Sequence, residues 1–192
     1  MAVSQTPIAI LIGPKGRGSN MLAILRACEN PEFPAQVAVV VSPNSSSPAA
    51  REAESRGLLW VADPKSENYA GELLKAVDGC ELICLAGYLR LLPTEVLDRF
   101  PNRVLNIHPA LLPKFGGKGM YGIKVHEAVL EAGETESGCT VHTVTEHYDE
   151  GAPIVQLRCP VLPSDTPDTL AARVLELEHQ AYPLAIREVL ES

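Results

Sequence analysis

Aromatic side chains are sparse in this chain: one Trp, three Phe and five Tyr among 192 residues, while hydrophobic residues still make up 46%. That balance describes an ordinary soluble α/β chain. Basic residues are also short, with 16 Lys and Arg against 24 Asp and Glu, a formal net charge of -8 and a pI near 5.1. An acidic balance argues against nucleic acid or an acidic membrane as the main partner. Anionic small molecules stay open, because a local site can be basic on an acidic protein. Cysteines are few and odd in number. Cys28, Cys80, Cys84, Cys139 and Cys159 lie mostly within apolar segments and read as buried small hydrophobes in a reducing cytosol, not as a disulfide framework. The only close pair, Cys80 and Cys84, lacks the second pair that a zinc site needs. Long apolar runs are missing too, the longest falling far short of the roughly 20 residues that cross a bilayer, and the start carries no basic n-region. The expectation is a cytoplasmic protein. With no repeat, low-complexity tract or linker, residues 1–192 are expected to form one domain that buries roughly 70% of its unfolded surface.

What is present centres on residues 103–114. Val104, Leu105 and Ile107 make a short apolar run of the kind a buried strand shows, and Pro109 ends it. Asn106 and His108 therefore sit at a strand exit, and period 2 puts both side chains on one side. An amide and an imidazole aimed together can polarise a carbonyl and move its proton, which acyl-transfer chemistry requires. A buried histidine bonded to a backbone carbonyl is the alternative.

The preceding chain alternates strand and helix. Ile8–Ile12 is a strand, residues 13–20 form a glycine loop, and Met21, Leu22, Leu25 and Cys28 recur at helical spacing. Successive glycine N–H groups, a helix N-terminus and the Ser19 hydroxyl suit a phosphate, although a tight structural turn explains the loop equally well. Ser19-Asn20 stand where a P-loop needs lysine, and Met21 stands where a dinucleotide fingerprint needs its third glycine. Neither ATPase nor NAD binding is supported. Val37–Val41, Leu58–Val61 and Leu82–Ala86 are further strands, separated by helices over Ala49–Arg56 and around Tyr69–Val77. Alternation of this kind implies right-handed crossovers and a parallel sheet. Tyr88–Pro93 follows on the same sheet edge as the glycine loop and His108, either packing under the loop or lining a flat apolar ligand. Thr94 is expected to cap a short helix to about Phe100.

After Pro113, residues 114–122 hold four glycines and two lysines and read as an active-site loop. A helix around Val125–Val129, a strand over Cys139–Thr145, an acidic turn at Asp149-Glu150-Gly151 and a returning strand Ile154–Val161 follow. His142 is read as a partnered strand histidine or a group facing the site. Asp149, at the hairpin tip, would by default cap its own turn. The last helix opens with Thr166 as N-cap, Pro167 at its first position and Asp168 near its positive end. Leu170, Val174, Leu177, Ala181 and Leu184 are its expected apolar stripe, Glu178 and His179 a solvated face, and Pro183 a bend or break.

Taken together, Gly18-Ser19-Asn20, Leu85–Leu92, Leu105-Asn106-Ile107-His108-Pro109 with Leu111–Lys114, Val141–Val144, the D-x-G-x-P run Asp149–Pro153 and Glu178-His179 before Tyr182-Pro183 resemble the phosphoribosylglycinamide formyltransferases, folate-dependent enzymes of purine synthesis. The resemblance covers nearly the whole chain. It implies a Rossmann-like α/β fold: a mostly parallel twisted sheet with helices on both faces and an antiparallel C-terminal extension. It implies a catalytic trio of Asn106, His108 and Asp149, a ribonucleotide site at Gly18, Ser19, Asn20 and Glu178, and a folate segment at Leu89, Arg90, Leu91 and Leu92 together with Asn106. The co-substrates would be 10-formyltetrahydrofolate and 5-phosphoribosylglycinamide (GAR), with no metal, no nucleic acid or membrane partner, and a homodimer left open. Protonated His108, its pKa raised by Asp149, would stabilise the oxyanion with Asn106 while Asp149 orients a relaying water. The first loop is longer than the compact Ser-Gly-x-Gly-Ser-Asn form of that family. Two rival readings are a formyltetrahydrofolate deformylase, whose relatives carry a second histidine where Pro109 stands, and a catalytically silent folate or sugar-phosphate binder.

Overall fold

The computed structural model describes residues 5–192. Seven strands form one sheet: β1 (Thr6–Ile12), β2 (Ala35–Ser42), β3 (Leu59–Val61), β4 (Leu82–Ala86), β5 (Val104–His108), β6 (Glu136–Thr143) and β7 (Pro153–Pro160). Six helices accompany them: α1 (Ser19–Cys28), α2 (Pro48–Ser55), α3 (Tyr69–Ala76), α4 (Thr94–Arg99), α5 (Ile123–Glu131) and α6 (Pro167–Glu191). The strand order is β3-β2-β1-β4-β5-β6-β7. Pairings are parallel from β3 through β5 and antiparallel between β5 and β6 and between β6 and β7. The expected architecture is what forms.

The unbroken apolar strands follow from burial on both faces. Ile8, Ile10 and Ile12 pack with Met21 and Ile24 of α1 and with Leu170 and Val174 of α6. Ala9 and Leu11, one residue out of phase, pack with Leu73 of α3 and Val96 of α4 on the other side. Each large aliphatic side chain so buried stabilises the fold by about 1.5–3 kcal/mol relative to exposure. Direction reverses between β1 and β4, and a crevice opens beyond strand ends at such a point. Gly13 leaves β1 there and Gly87 leaves β4 at φ +74°, and a Cβ on Gly13 would strike the Gly87 carbonyl oxygen. The two exits touch backbone to backbone, which only glycine at position 13 permits.

Helix α6 departs from its expected pattern. Its buried stripe is Leu170, Val174, Glu178, Ala181, Tyr182, Ala185 and Ile186, while Leu177 is only half-buried and Leu184 is exposed. Pro183 neither ends nor interrupts the helix. Tertiary packing overrides the lost donor, since Tyr182 beside it is fully buried and its hydroxyl reaches the carbonyl oxygens of Leu85 (2.9 Å) and Leu105 (3.1 Å). At the other end Thr166 and Thr169 cap each other reciprocally. Thr94 is the first residue of α4, with Pro93 in the cap position, so the expected threonine cap is displaced by one. β6 also begins three residues earlier than the apolar pattern suggests. Among the described residues no helix is long and apolar enough to cross a membrane. Thr166→Ala is expected to cost about 1 kcal/mol, measured as a lower urea midpoint with an unchanged denaturant slope.

Candidate active site

The site is built where the sheet stops being parallel. Antiparallel register sets Asn106 of β5 opposite His142 of β6, and His108 opposite Thr140. Thr140 fixes the chain just after β5: its hydroxyl donates to the Ala110 carbonyl (2.7 Å) and accepts from the Leu112 amide (3.0 Å). β6 ends beside the start of β5, where the Val144 amide donates to the Val104 carbonyl, and the β6–β7 connection carries Asp149 from there back to the His108 side chain. Asp149 adopts φ +59°, a left-handed conformation that aspartate tolerates. At Gly151 a Cβ would overlap the Thr143 carbonyl oxygen, so the turn can close only on glycine.

Asp149 does not cap its own turn. Its Oδ2 accepts the Gly117 N–H at 2.9 Å and lies 3.4 Å from His108 Nδ1, while Oδ1 lies 3.5 Å from His142 Nε2. The other His108 nitrogen, Nε2, donates to the Phe115 carbonyl at 2.7 Å. His142 Nδ1 donates to the Thr143 carbonyl at 2.8 Å, and Asn106 Nδ2 lies 3.3 Å from His142 Nε2. Both imidazoles thus commit one N–H to the backbone and turn the second nitrogen toward a single carboxylate. Both are almost fully buried, His108 at 3% exposure and His142 at 2%.

Burial holds the His108 imidazole below its ordinary range; the Asp149 carboxylate and the Phe115 carbonyl pull the other way without overcoming it. The net direction is opposite to the raised pKa that the resemblance implies, because loss of solvent outweighs the adjacent charge. For Asp149, burial raises the pKa, but the His142 ring, the nearby His108 and the Gly117 amide outweigh it, leaving the carboxyl below its usual value.

These groups line a cleft of about 480 Å³. Asn20 and Glu178 line it as well, joined by a 2.6 Å bond from Asn20 Nδ2 to Glu178 Oε2. Glu178 is 8% exposed, not solvated, and burial raises its pKa, with the Asn20 bond offsetting part of the rise. Leu89, Arg90 and Leu91 line the cleft too, the two leucines exposed at 55% and 47%. The glycine loop of residues 117–122 completes the wall. Of the residues expected at the site, Asn20, Leu89, Arg90, Leu91, Asn106, His108, Asp149 and Glu178 meet in this one cavity. Leu92 does not, being buried in the core cluster that holds Val96 and Phe100. Gly18 takes φ +78° at the N-cap of α1, and Ser19 lines a neighbouring depression with Arg26 and His179.

His142 and the Gly117 amide are site members that the sequence reading left open or missed. His142 was findable: once β5 and β6 pair antiparallel, an in-phase polar residue on β6 must share the face of Asn106. The Gly117 amide has no side-chain signature.

Comparison with known proteins places this geometry. The formyl transferase family model matches residues 7–186. A chloroplastic phosphoribosylglycinamide formyltransferase of Arabidopsis thaliana is 42% identical over 92% of this chain and 63% of its own length. The phosphoribosylglycinamide formyltransferase of Haemophilus influenzae is 36% identical over 94% of this chain and 85% of its own. Among solved structures, glycinamide ribonucleotide transformylase 1 from Symbiobacterium toebii superposes with a TM-score of 0.87 at 40% identity, covering 97% of this chain and 88% of that one. The chain spans 63% of the length of the two plant relatives it matches. A match running from the first strand into the last helix takes in every residue that lines the cleft, and the chain accordingly belongs to the formyl transferase family.

Proposed function

We propose that this chain transfers the formyl group of 10-formyltetrahydrofolate to the amine of 5-phosphoribosylglycinamide, giving formyl-GAR and tetrahydrofolate in purine biosynthesis. The observation that carries the reading is the convergence of Asn106, His108 and Asp149 at the β5 exit, between a polar wall at Asn20 and Glu178 and an apolar one at Leu89 and Leu91. The names of the relatives agree with it.

Each wall suits one co-substrate. Leu89 and Leu91 offer apolar surface to a flat pteridine, with Arg90 lining the cleft between them in sequence. Glu178 offers a buried acceptor to the N–H and O–H groups of the ribonucleotide. At Gly18-Ser19-Asn20 the start of α1 has no side-chain cap, so its first N–H groups are open to the phosphate. Asn20 links the two regions, since its own side chain reaches Glu178 in the cleft.

In the reaction the glycinamide nitrogen attacks the formyl carbon, whose carbonyl π pair moves onto oxygen. Asn106 has two amide hydrogens, one directed at His142 and the other available to that oxyanion. Neutral His108 takes the proton released by the attacking nitrogen at Nδ1, and the carboxylate 3.4 Å away stabilises the imidazolium so formed. Collapse of the intermediate breaks the bond to folate N10, which receives that proton. Pro109 occupies the position where deformylase relatives place a second histidine, so transfer to the amine is favoured over transfer to water.

Purified protein is expected to form formyl-GAR from the two co-substrates; hydrolysis of the folate alone, with no formyl-GAR, would instead make it a deformylase. His108→Ala should lower kcat by roughly 10²–10⁴ while the protein remains folded by circular dichroism. Since His108 must be neutral and its pKa is depressed, kcat should be flat near neutrality and fall on acidification, with the limb below 6.5. Stability should follow the same sign. His108 and Asp149 both have lowered folded values, so their contribution is complete above the unfolded pKa values and is lost as pH falls through the folded ones. Urea titrations across that range check it.

A further inference from the structure

His142 Nε2 stands between two groups that make opposite demands on it. Asn106 Nδ2 is 3.3 Å away and can only donate, so it requires a lone pair on that nitrogen. Asp149 Oδ1 is 3.5 Å away and, ionised, can only accept, so it requires a proton there. The other ring nitrogen settles which state rests, because Nδ1–H is committed to the Thr143 carbonyl at 2.8 Å. The neutral ring then has its lone pair at Nε2, and Asn106 is held with its NH₂ toward β6.

We propose that His142 is a positioning residue that orients the Asn106 amide when neutral and releases it when protonated. This rests on the proposed function, where the second Asn106 hydrogen serves the oxyanion. With Nε2 bare, an Asn106 flipped by 180° would set its oxygen against a lone pair, so the donor-inward orientation is enforced. With Nε2 protonated, the ring donates to Asp149 instead and can equally donate to the oxygen of a flipped Asn106. The flip turns the NH₂ group away from the place the present bond gives it, and the orientation that serves the oxyanion is no longer enforced. The step moves one proton from solvent to Nε2 and breaks no covalent bond. The charged or titratable groups that face His142 are Asp149 from the β6–β7 turn and His108 from β5. Pro153, its partner on β7, carries no charge, and Glu178 of α6 lines the same cleft.

Nitrogen-15 NMR of the full chain without substrate tests the geometry. At neutral pH the His142 ring should carry its proton on Nδ1. On acidification the Asn106 side-chain NH₂ signal, assigned by its loss in Asn106→Ala, should shift with the same midpoint as His142. A ring protonated on Nε2 at neutral pH, or an Asn106 signal indifferent to the His142 titration, overturns the proposal whatever the enzyme's substrate is. In turnover, His142→Ala should lower kcat about tenfold or more with little change in either KM. His142→Gln supplies a non-titrating acceptor and should recover most of that loss. Equal kcat for the alanine and glutamine variants would reduce His142 to a packing residue.

Discussion

Everything at the candidate site depends on the register of one antiparallel strand pair. Up to β5 the chain adds strands through helical crossovers, and each strand delivers its loop to the same rim. After β5 the chain still passes through a helix, α5, but β6 then enters antiparallel to β5, setting Asn106 against His142 and His108 against Thr140. A slip of one residue would turn His142 into the opposite face and remove Asp149 from reach.

Around that pair the backbone carries much of the organisation. The Phe115 and Thr143 carbonyls choose the tautomers of two imidazoles, the Gly117 amide holds a carboxylate, and the Thr140 hydroxyl fixes the chain that leads into the loop. Buried polar groups need partners, and here they find them mostly in main chain, whose position the sheet and its turns set. The Gly117 amide donates to the carboxyl, whose pKa lies below its usual range although burial opposes it, and the His108 ring lies below its own range because burial outweighs the carboxylate beside it.

The parallel half of the fold was legible in the sequence because its strands are doubly buried and its turns end on glycine, signals that are local. Asn106 and His108 were legible for the same reason, lying two apart at a strand end. Glu178 was not: polar residues on helices are normally solvated, and only tertiary packing shows that it falls on the Leu170–Val174 stripe, four residues beyond Val174, where Leu177 had been expected. His142 stayed open because its partner strand lies 36 residues away, so that pairing fixes its face and local alternation does not. The charge of His108 depends on a balance between burial and a neighbouring ion, and no motif encodes that balance. Pro183 misled for a related reason, since the rule that breaks helices at proline omits a fully buried tyrosine bonded to two strands.

The contact between Gly13 and Gly87 has a mechanical consequence. No side chain cushions the two strand exits, so the glycine loop that leads into α1 and the leucine segment that follows β4 share a hinge pin of bare peptide. Neither can drift without pressing on the other. Variation in the length of the first loop must then be absorbed further out, among Pro14 to Arg17, and the spacing between the two walls of the cleft is held at the sheet edge.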